Sequence, residues 1–238
     1  MVYLYQQILY RPILNLLVFF YQTIAFHDLG IAIILVTLFI RLVLYPFFHT
    51  GAKQQMLMQR IQPKIKEIQT KHKDDRDQQA KALMELYKEH GVNPFSGILL
   101  LIIQIPILLT FYWVIRSGVG TAQLTGLYSF ITVPHSINTI FLGFIDLAKP
   151  NFILIIAAAL AQYFQAKLAI YRAPGNTAGT LSQAEKIARQ MVFVGPIITI
   201  LVFYNFPAAL GLYWLMTSLF SAVQQYFVNK HLVKKYGV

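Results

Sequence analysis

Residues 29–48, Leu-Gly-Ile-Ala-Ile-Ile-Leu-Val-Thr-Leu-Phe-Ile-Arg-Leu-Val-Leu-Tyr-Pro-Phe-Phe, carry one charge, at Arg41, in twenty positions. About 20 mostly apolar residues, coiled as a helix, span the hydrocarbon core of a bilayer. The rest of the chain has the same character. Of its 238 residues, 57% are hydrophobic and 12% charged, and mean hydropathy is +0.56. A soluble domain averages about 25% charged residues, and a chain of this size has too little interior to hide so much apolar surface. The composition predicts an all-α membrane protein.

Four more stretches meet the length requirement approximately: 98–115, 152–170, 191–205 and 208–228. The last two are divided by Asn205-Phe206-Pro207, which reads as the tight turn of a helical hairpin. The arm 191–205 is short for a bilayer, implying local thinning or burial against other helices. Five transmembrane helices are therefore expected. Residues 3–26 lack a small-residue cleavage site and are interrupted by Arg11, Pro12, Asn15 and Gln22. Ile13, Leu14, Leu16, Leu17, Phe20 and Tyr21 lie there at helical spacing. The favoured reading for 1–27 is an amphipathic helix on the membrane surface; the alternative is a sixth span.

Cationic residues set the orientation, because they concentrate on the cytoplasmic side. The segment after the first span holds Lys53, Arg60, Lys64, Lys66, Lys71, Lys73, Arg76, Lys81 and Lys88. Lys167, Arg172, Lys186 and Arg189 follow the third span, and Lys230, Lys234 and Lys235 the fifth. Arg11, Arg116 and Lys149 fall on the other side. The expectation is a multi-pass inner-membrane protein with its N-terminus outside and its C-terminus, a short basic tail at 229–238, in the cytoplasm. The net charge of +11 is thereby explained without nucleic acid.

Residues 51–91 read as a cytoplasmic helical hairpin. Leu57, Ile61, Ile65 and Ile68 form one stripe, and Ala80, Leu83, Met84 and Tyr87 a second. The aspartates of the tip between them suit the N-terminus of the second helix. Either a salt-bridged connector or a mobile contact device fits this pattern. Residues 173–180 read as a flexible cytoplasmic loop, and no chemistry is assigned to 117–150.

Arg41 stands roughly 10 Å above the cytoplasmic end of its span, at 1.5 Å per residue. A charge at such depth costs about 2.5–3.5 kcal/mol to insert. No aspartate or glutamate occurs in the five spans, so water has to solvate it. Thr37 and Tyr45, at i−4 and i+4, share its helix face. A wet cavity open to the cytoplasm follows, against the plainer alternative that Arg41 snorkels to the headgroups. Gln104, Gln162 and Gln165 are candidates to line that cavity, although interhelical hydrogen bonding also suits glutamines in spans. Trp214 fits the cavity, the interfacial belt or packing.

Catalysis has no support. The chain lacks cysteine, a Ser/His/Asp order, HExxH, a P-loop and GxGxxG, and its six histidines are scattered without ligand spacing. No cofactor or metal is expected.

Three stretches taken together resemble the YidC/Oxa/Albino membrane protein insertase family. One is Ile40-Arg41-Leu42 up to Pro46, with Gln62-Pro63-Lys64-Ile65-Lys66-Glu67-Ile68-Gln69. Another is Leu86-Tyr87-Lys88-Glu89-His90-Gly91-Val92-Asn93-Pro94, leading into Gln104-Ile105-Pro106-Ile107. The last is Phe206-Pro207-Ala208-Ala209-Leu210-Gly211-Leu212-Tyr213-Trp214, with Gln224-Gln225 beyond it. The resemblance implies a five-helix core around a hydrophilic groove, open to cytoplasm and lipid and closed to the outside. It implies insertion of hydrophobic segments of nascent membrane proteins into the lipid bilayer without ATP. Arg41 would be the groove arginine, with Gln104, Gln165 and Trp214 lining or adjoining the groove. Partners would be those clients and, through the hairpin, the Sec translocon, ribosome or signal recognition components. With 28 residues before the first span, no cysteine and a short tail, a minimal bacterial form is expected. The competing functions are a small transporter or channel with an arginine site, and a passive assembly factor.

Overall fold

The computed structural model describes residues 2–118, 126–170 and 183–236. The described chain is mostly helical. Val2–Tyr5 (α1), a π-helical turn at Gln6–Tyr10 and Arg11–Thr23 (α2) follow one another directly. Then come Leu29–Val43 (α3), Tyr45–Arg60 (α4), Gln62–Lys71 (α5), Arg76–Glu89 (α6) and Ser96–Gly118 (α7). Two short antiparallel strands, Ile140–Phe141 (β1) and Ile145–Asp146 (β2), precede Phe152–Ala169 (α8), Gln183–Phe203 (α9) and Ala208–Tyr236 (α10).

Local chemistry sets several of these boundaries. Asp28 accepts the N–H groups of Gly30 and Ile31 and so starts α3, and Asn151 accepts that of Leu154 to start α8. Asp75 does the same for α6 through Asp77 and Gln78. The acidic tip thus supplies donors' partners where a helix start leaves backbone amides unpaired.

The stretch 29–48 is not one helix. It breaks at Leu44, and α3 and α4 diverge by 70°. Pro46 stands in the first turn of α4, where a missing N–H costs nothing and a helix can restart. α4 then runs on to Arg60, so residues 51–60 continue the helix begun at Tyr45 instead of starting a separate hairpin arm. α5 and α6 form the rest of the hairpin around Ile61, Ile65, Leu86 and Val92, with Leu57, Ile68, Leu83 and Tyr87 against them. Ala80 and Met84 face outward, which corrects the second stripe.

By length and composition, Ser96–Arg116 and Phe152–Ala169 can cross a membrane, and the bent pair α3 and α4 makes a third if it counts as one span. Residues Gln190–Phe203 of α9 form a shorter apolar segment. α10 is 29 residues long, but Thr217, Ser218, Ser221, Gln224 and Gln225 interrupt its apolar sequence. It continues as a helix through residues 229–236. The loop expected at 173–180 lies outside the described residues.

α10 packs chiefly on α8 and α3, α8 also on α9, and α2 on α3 and α7. Leu14, Leu17, Val18 and Tyr21 bury one face of α2 in this bundle. Residues 126–151 cover the end where α3, α8 and α10 begin. Leu142 N–H donates to Asp28 Oδ2 at 2.8 Å, and Ala208 N–H to the Lys149 carbonyl at 2.9 Å. Asn15 grips the same segment, accepting from Tyr128 N–H and donating to the Gly126 carbonyl. Gly30 is required at this end: a Cβ there would overlap the Phe141 ring.

Candidate polar cavity around Arg41

Arg41 lies in the last turn of α3 and is only 5% exposed. Its guanidinium carbon sits 4.0 Å from the centroid of the Phe48 ring, which the bend at Leu44 folds back beneath it. Cation–π contact of this kind offsets part of the desolvation of a charge. Nη2 donates to Gln104 Oε1 of α7 at 3.4 Å. Gln104 Nε2 donates in turn to the Tyr213 hydroxyl of α10, and Tyr213 stacks on Phe111 at 4.4 Å. Among the described residues no carboxylate pairs with Arg41.

Arg41, Phe48 and Gln104 form part of the wall of a cavity of about 440 Å³, with Tyr213 and Phe111 behind it. α4 contributes Phe48, Gln55 and Gln59, and α8 contributes Gln162 and Gln165. α10 adds Trp214, Ser218, Ser221 and Gln225 at helical spacing. The structure therefore brings together Arg41, Gln104, Gln162, Gln165 and Trp214. It does not bring Thr37 or Tyr45 to the wall. Thr37 is buried in the core one turn deeper and spends its hydroxyl on the Ile33 carbonyl at 2.6 Å. Tyr45 lies past the helix break, is 39% exposed and stacks on His49. Tyr45 would share a face with Arg41 only in an unbroken helix, and the bend at Leu44 separates them.

Gln162 also serves packing, because it accepts the Thr199 hydroxyl and joins α8 to α9. Trp214 Nε1 is buried without a protein partner, so it is a donor free for water or a guest in a polar space. Sequence reasoning missed the α4 glutamines and the polar stripe of α10. The stripe was readable from its i, i+4, i+7, i+11 spacing. The α4 residues were not, because they reach the cavity only through the bend.

The cavity has one closed end. Beyond Arg41 toward the start of α3, Leu29, Ala32, Ile33 and Val36 are fully buried. Phe111, Val114 and Ile115 of α7 and Ala208, Ala209 and Leu210 of α10 meet them in the same core. Residues 126–151 lie over that core. The other end is bordered by α4 and by Pro94, Ser96 and Gly97, next to the basic hairpin. Such a chamber can hydrate a polar segment and offer it one cation, but it holds no nucleophile with a base.

A family model described as 60Kd inner membrane protein matches residues 19–235. The chain belongs to this family. Curated relatives carry the name "Membrane protein insertase YidC". That of Geobacter metallireducens is 31% identical over 222 residues, 93% of this chain and 37% of its own. That of Francisella tularensis subsp. novicida is 37% identical over 202 residues, 85% of this chain and 32% of its own. The chain thus spans about a third of the length of the curated relatives it matches. The resemblance drawn from the three motif stretches holds.

Proposed function

We propose that the chain is a membrane protein insertase that admits the polar tail of a client to the Arg41 cavity while the client's apolar segment enters lipid. The observation that carries this reading is a cavity in which glutamines and serines surround an arginine with no carboxylate partner among the described residues, closed at one end by packed apolar core. A blind chamber of that kind shortens the apolar barrier without making a through-path.

In this reading α3 with the start of α4, α7, α8, the apolar part of α9 and α10 are five spans. The basic hairpin faces the cytoplasm, the N-terminus lies outside, and residues 1–27 lie along the membrane against the bundle. Moving a hydrated tail through hydrocarbon costs several kcal/mol per unpaired polar group. Water and polar side chains in the chamber lower that cost, and Arg41 attracts acidic residues of the tail. The gain of about 25 cal/mol per Å² as the client's apolar segment leaves water then drives release, so no ATP is consumed. Arg41, Gln104, Gln162, Gln165 and Trp214 are the proposed client-contacting residues. Nascent membrane proteins are the proposed clients, with the hairpin available to the translocon, ribosome or signal recognition components.

A channel or transporter would need a second opening, and the packed core at the start of α3 opposes one. The test is insertion of a single-span client with a short acidic tail into vesicles containing this protein, scored by protease protection of the tail. Protection above empty vesicles is expected. Its absence with folded protein, together with solute flux, would move the assignment to a transporter.

A further inference from the structure

The end of the bundle opposite the cavity carries a feature that client insertion does not use. Large apolar residues there stand out from the fold: Phe26 is 88% exposed, Phe130 77%, Phe144 75% and Ile153 75%. None belongs to the buried core. The contacts that close this end bring them together. Leu142 N–H donating to Asp28 sets the β-hairpin tip, with Phe144, beside the turn that holds Phe26. Gln22 Nε2 donates to the Thr132 carbonyl, which lays the segment bearing Phe130 along α2. Ile153 lies in the first turn of α8. The backbone at Phe26 and Leu142 has φ of 52° and 53°, a conformation uncommon for bulky residues. The fold holds both with their side chains exposed.

Exposed apolar residues occur along the whole bundle, but the four that are 75% exposed or more among the described residues all lie at this end, and such a cluster marks a contact surface. We propose that this end is sunk into the headgroup–acyl boundary of the outer leaflet, with Phe26, Phe130 and Phe144 as depth anchors. Lipid fits better than a protein partner because the patch is continuous with the apolar outer face of α8. From Phe152 and Ile153 that face runs to Leu160 and Phe164, all more than half exposed. A cation of the kind phosphate headgroups favour stands in the same covering segment: Lys149, whose exposed Nζ pairs with Asp146. Aromatic rings settle at this boundary in membrane proteins. The covering segment 126–151 is then a float that fixes how deep the bundle, and with it the Arg41 cavity, sits.

This inference rests on the membrane-spanning reading, and the test separates the two. The chain has no cysteine, so single nitroxide labels can be placed by Phe130→Cys, Phe144→Cys, Ile105→Cys in the lipid-facing side of α7, and Lys73→Cys at the hairpin tip. In phosphatidylethanolamine–phosphatidylglycerol vesicles, collisions with oxygen and with a nickel chelate are compared. The oxygen-to-nickel ratio at positions 130 and 144 should exceed that at 73 several-fold and fall below that at 105. A ratio equal to that at 73 would show the patch in water and overturn the proposal. Exclusion of both colliders would show a protein cover, such as a second copy, and overturn it equally. A water-like ratio at 105 would defeat the spanning reading, and the proposal with it.

Discussion

Arg41 Nη2 stands 3.4 Å from Gln104 Oε1, at the outer limit of a hydrogen bond, while its guanidinium carbon rests 4.0 Å from the Phe48 ring centroid. A buried guanidinium normally demands short bonds to a carboxylate. Here it has a ring and a distant amide, so an acidic guest can bind without first displacing an anion.

That relationship predicts a charge requirement. A hydrogen bond to a charged group contributes about 1.5–3 kcal/mol, so Arg41→Ala should slow insertion of an acidic-tailed client roughly tenfold or more. Arg41→Lys should retain most of the rate. A client whose tail carries no acidic residue should respond far less. Protease-protection time courses for the three variants check this; equal rates for both clients would remove Arg41 from the proposed mechanism.

Tyr213 links Gln104 to the packed core through its stack on Phe111. Interhelical hydrogen bonds in membrane bundles contribute about 0.6–2 kcal/mol. Tyr213→Phe keeps the stack and removes the hydroxyl that Gln104 and Thr217 share, so stability should drop by an amount in this range. Unfolding in mild detergent measures it, and an unchanged midpoint would show that the bond contributes nothing.

Two glycines give opposite expectations. A Cβ at Gly30 would run into the Phe141 ring, whereas one at Gly97 meets nothing within 4 Å. Overpacking costs about 1–3 kcal/mol, so Gly30→Ala should destabilise by that order. Gly97→Ala should be neutral or gain about 0.5–1 kcal/mol from helix propensity. Thermal melts of the pair decide, and equal melting temperatures would mean that β1 yields freely.

A pH effect is expected at the outer end. Hydrogen bonds from Lys149, the Ala148 backbone N–H and Thr139 hold the Asp146 carboxyl below its ordinary 3.8. A depressed carboxylate stabilises the fold fully above the unfolded value. That contribution is lost as pH falls below about 3.8 and through the folded value. Asp146→Asn should therefore lower the melting temperature slightly at neutral pH and converge with wild type below about pH 4, which flattens the acid limb; the difference is small because the pair is exposed. An acid limb identical to wild type would exclude Asp146 as its source.

Much of this architecture was legible in local pattern. The apolar runs located α7 and α8, and the aspartates of the tip located the start of α6. The glutamines of the apolar runs reached the cavity because their helices carried them there. What stayed hidden depended on contacts far apart in the chain. Asp28 caps α3 with one oxygen, yet its other oxygen holds Leu142, 114 residues away. The break at Leu44 falls two residues before Pro46, and α4 beyond it packs on α7; no periodicity announces it. That bend brought Gln55 and Gln59 to the cavity wall and removed Tyr45 from it.

The blind end of the cavity has an electrical consequence. Where water reaches Arg41 from one side and a dry core fills the other, a transmembrane voltage falls almost wholly across that dry layer. The drop is worth about 2.3 kcal/mol per elementary charge at 100 mV. In the proposed orientation, with the inside negative, it pushes an acidic tail outward over the short distance from Arg41 to the outer cap. The sealed core thereby works as a field concentrator, turning the cell's voltage into a force on the segment waiting in the chamber.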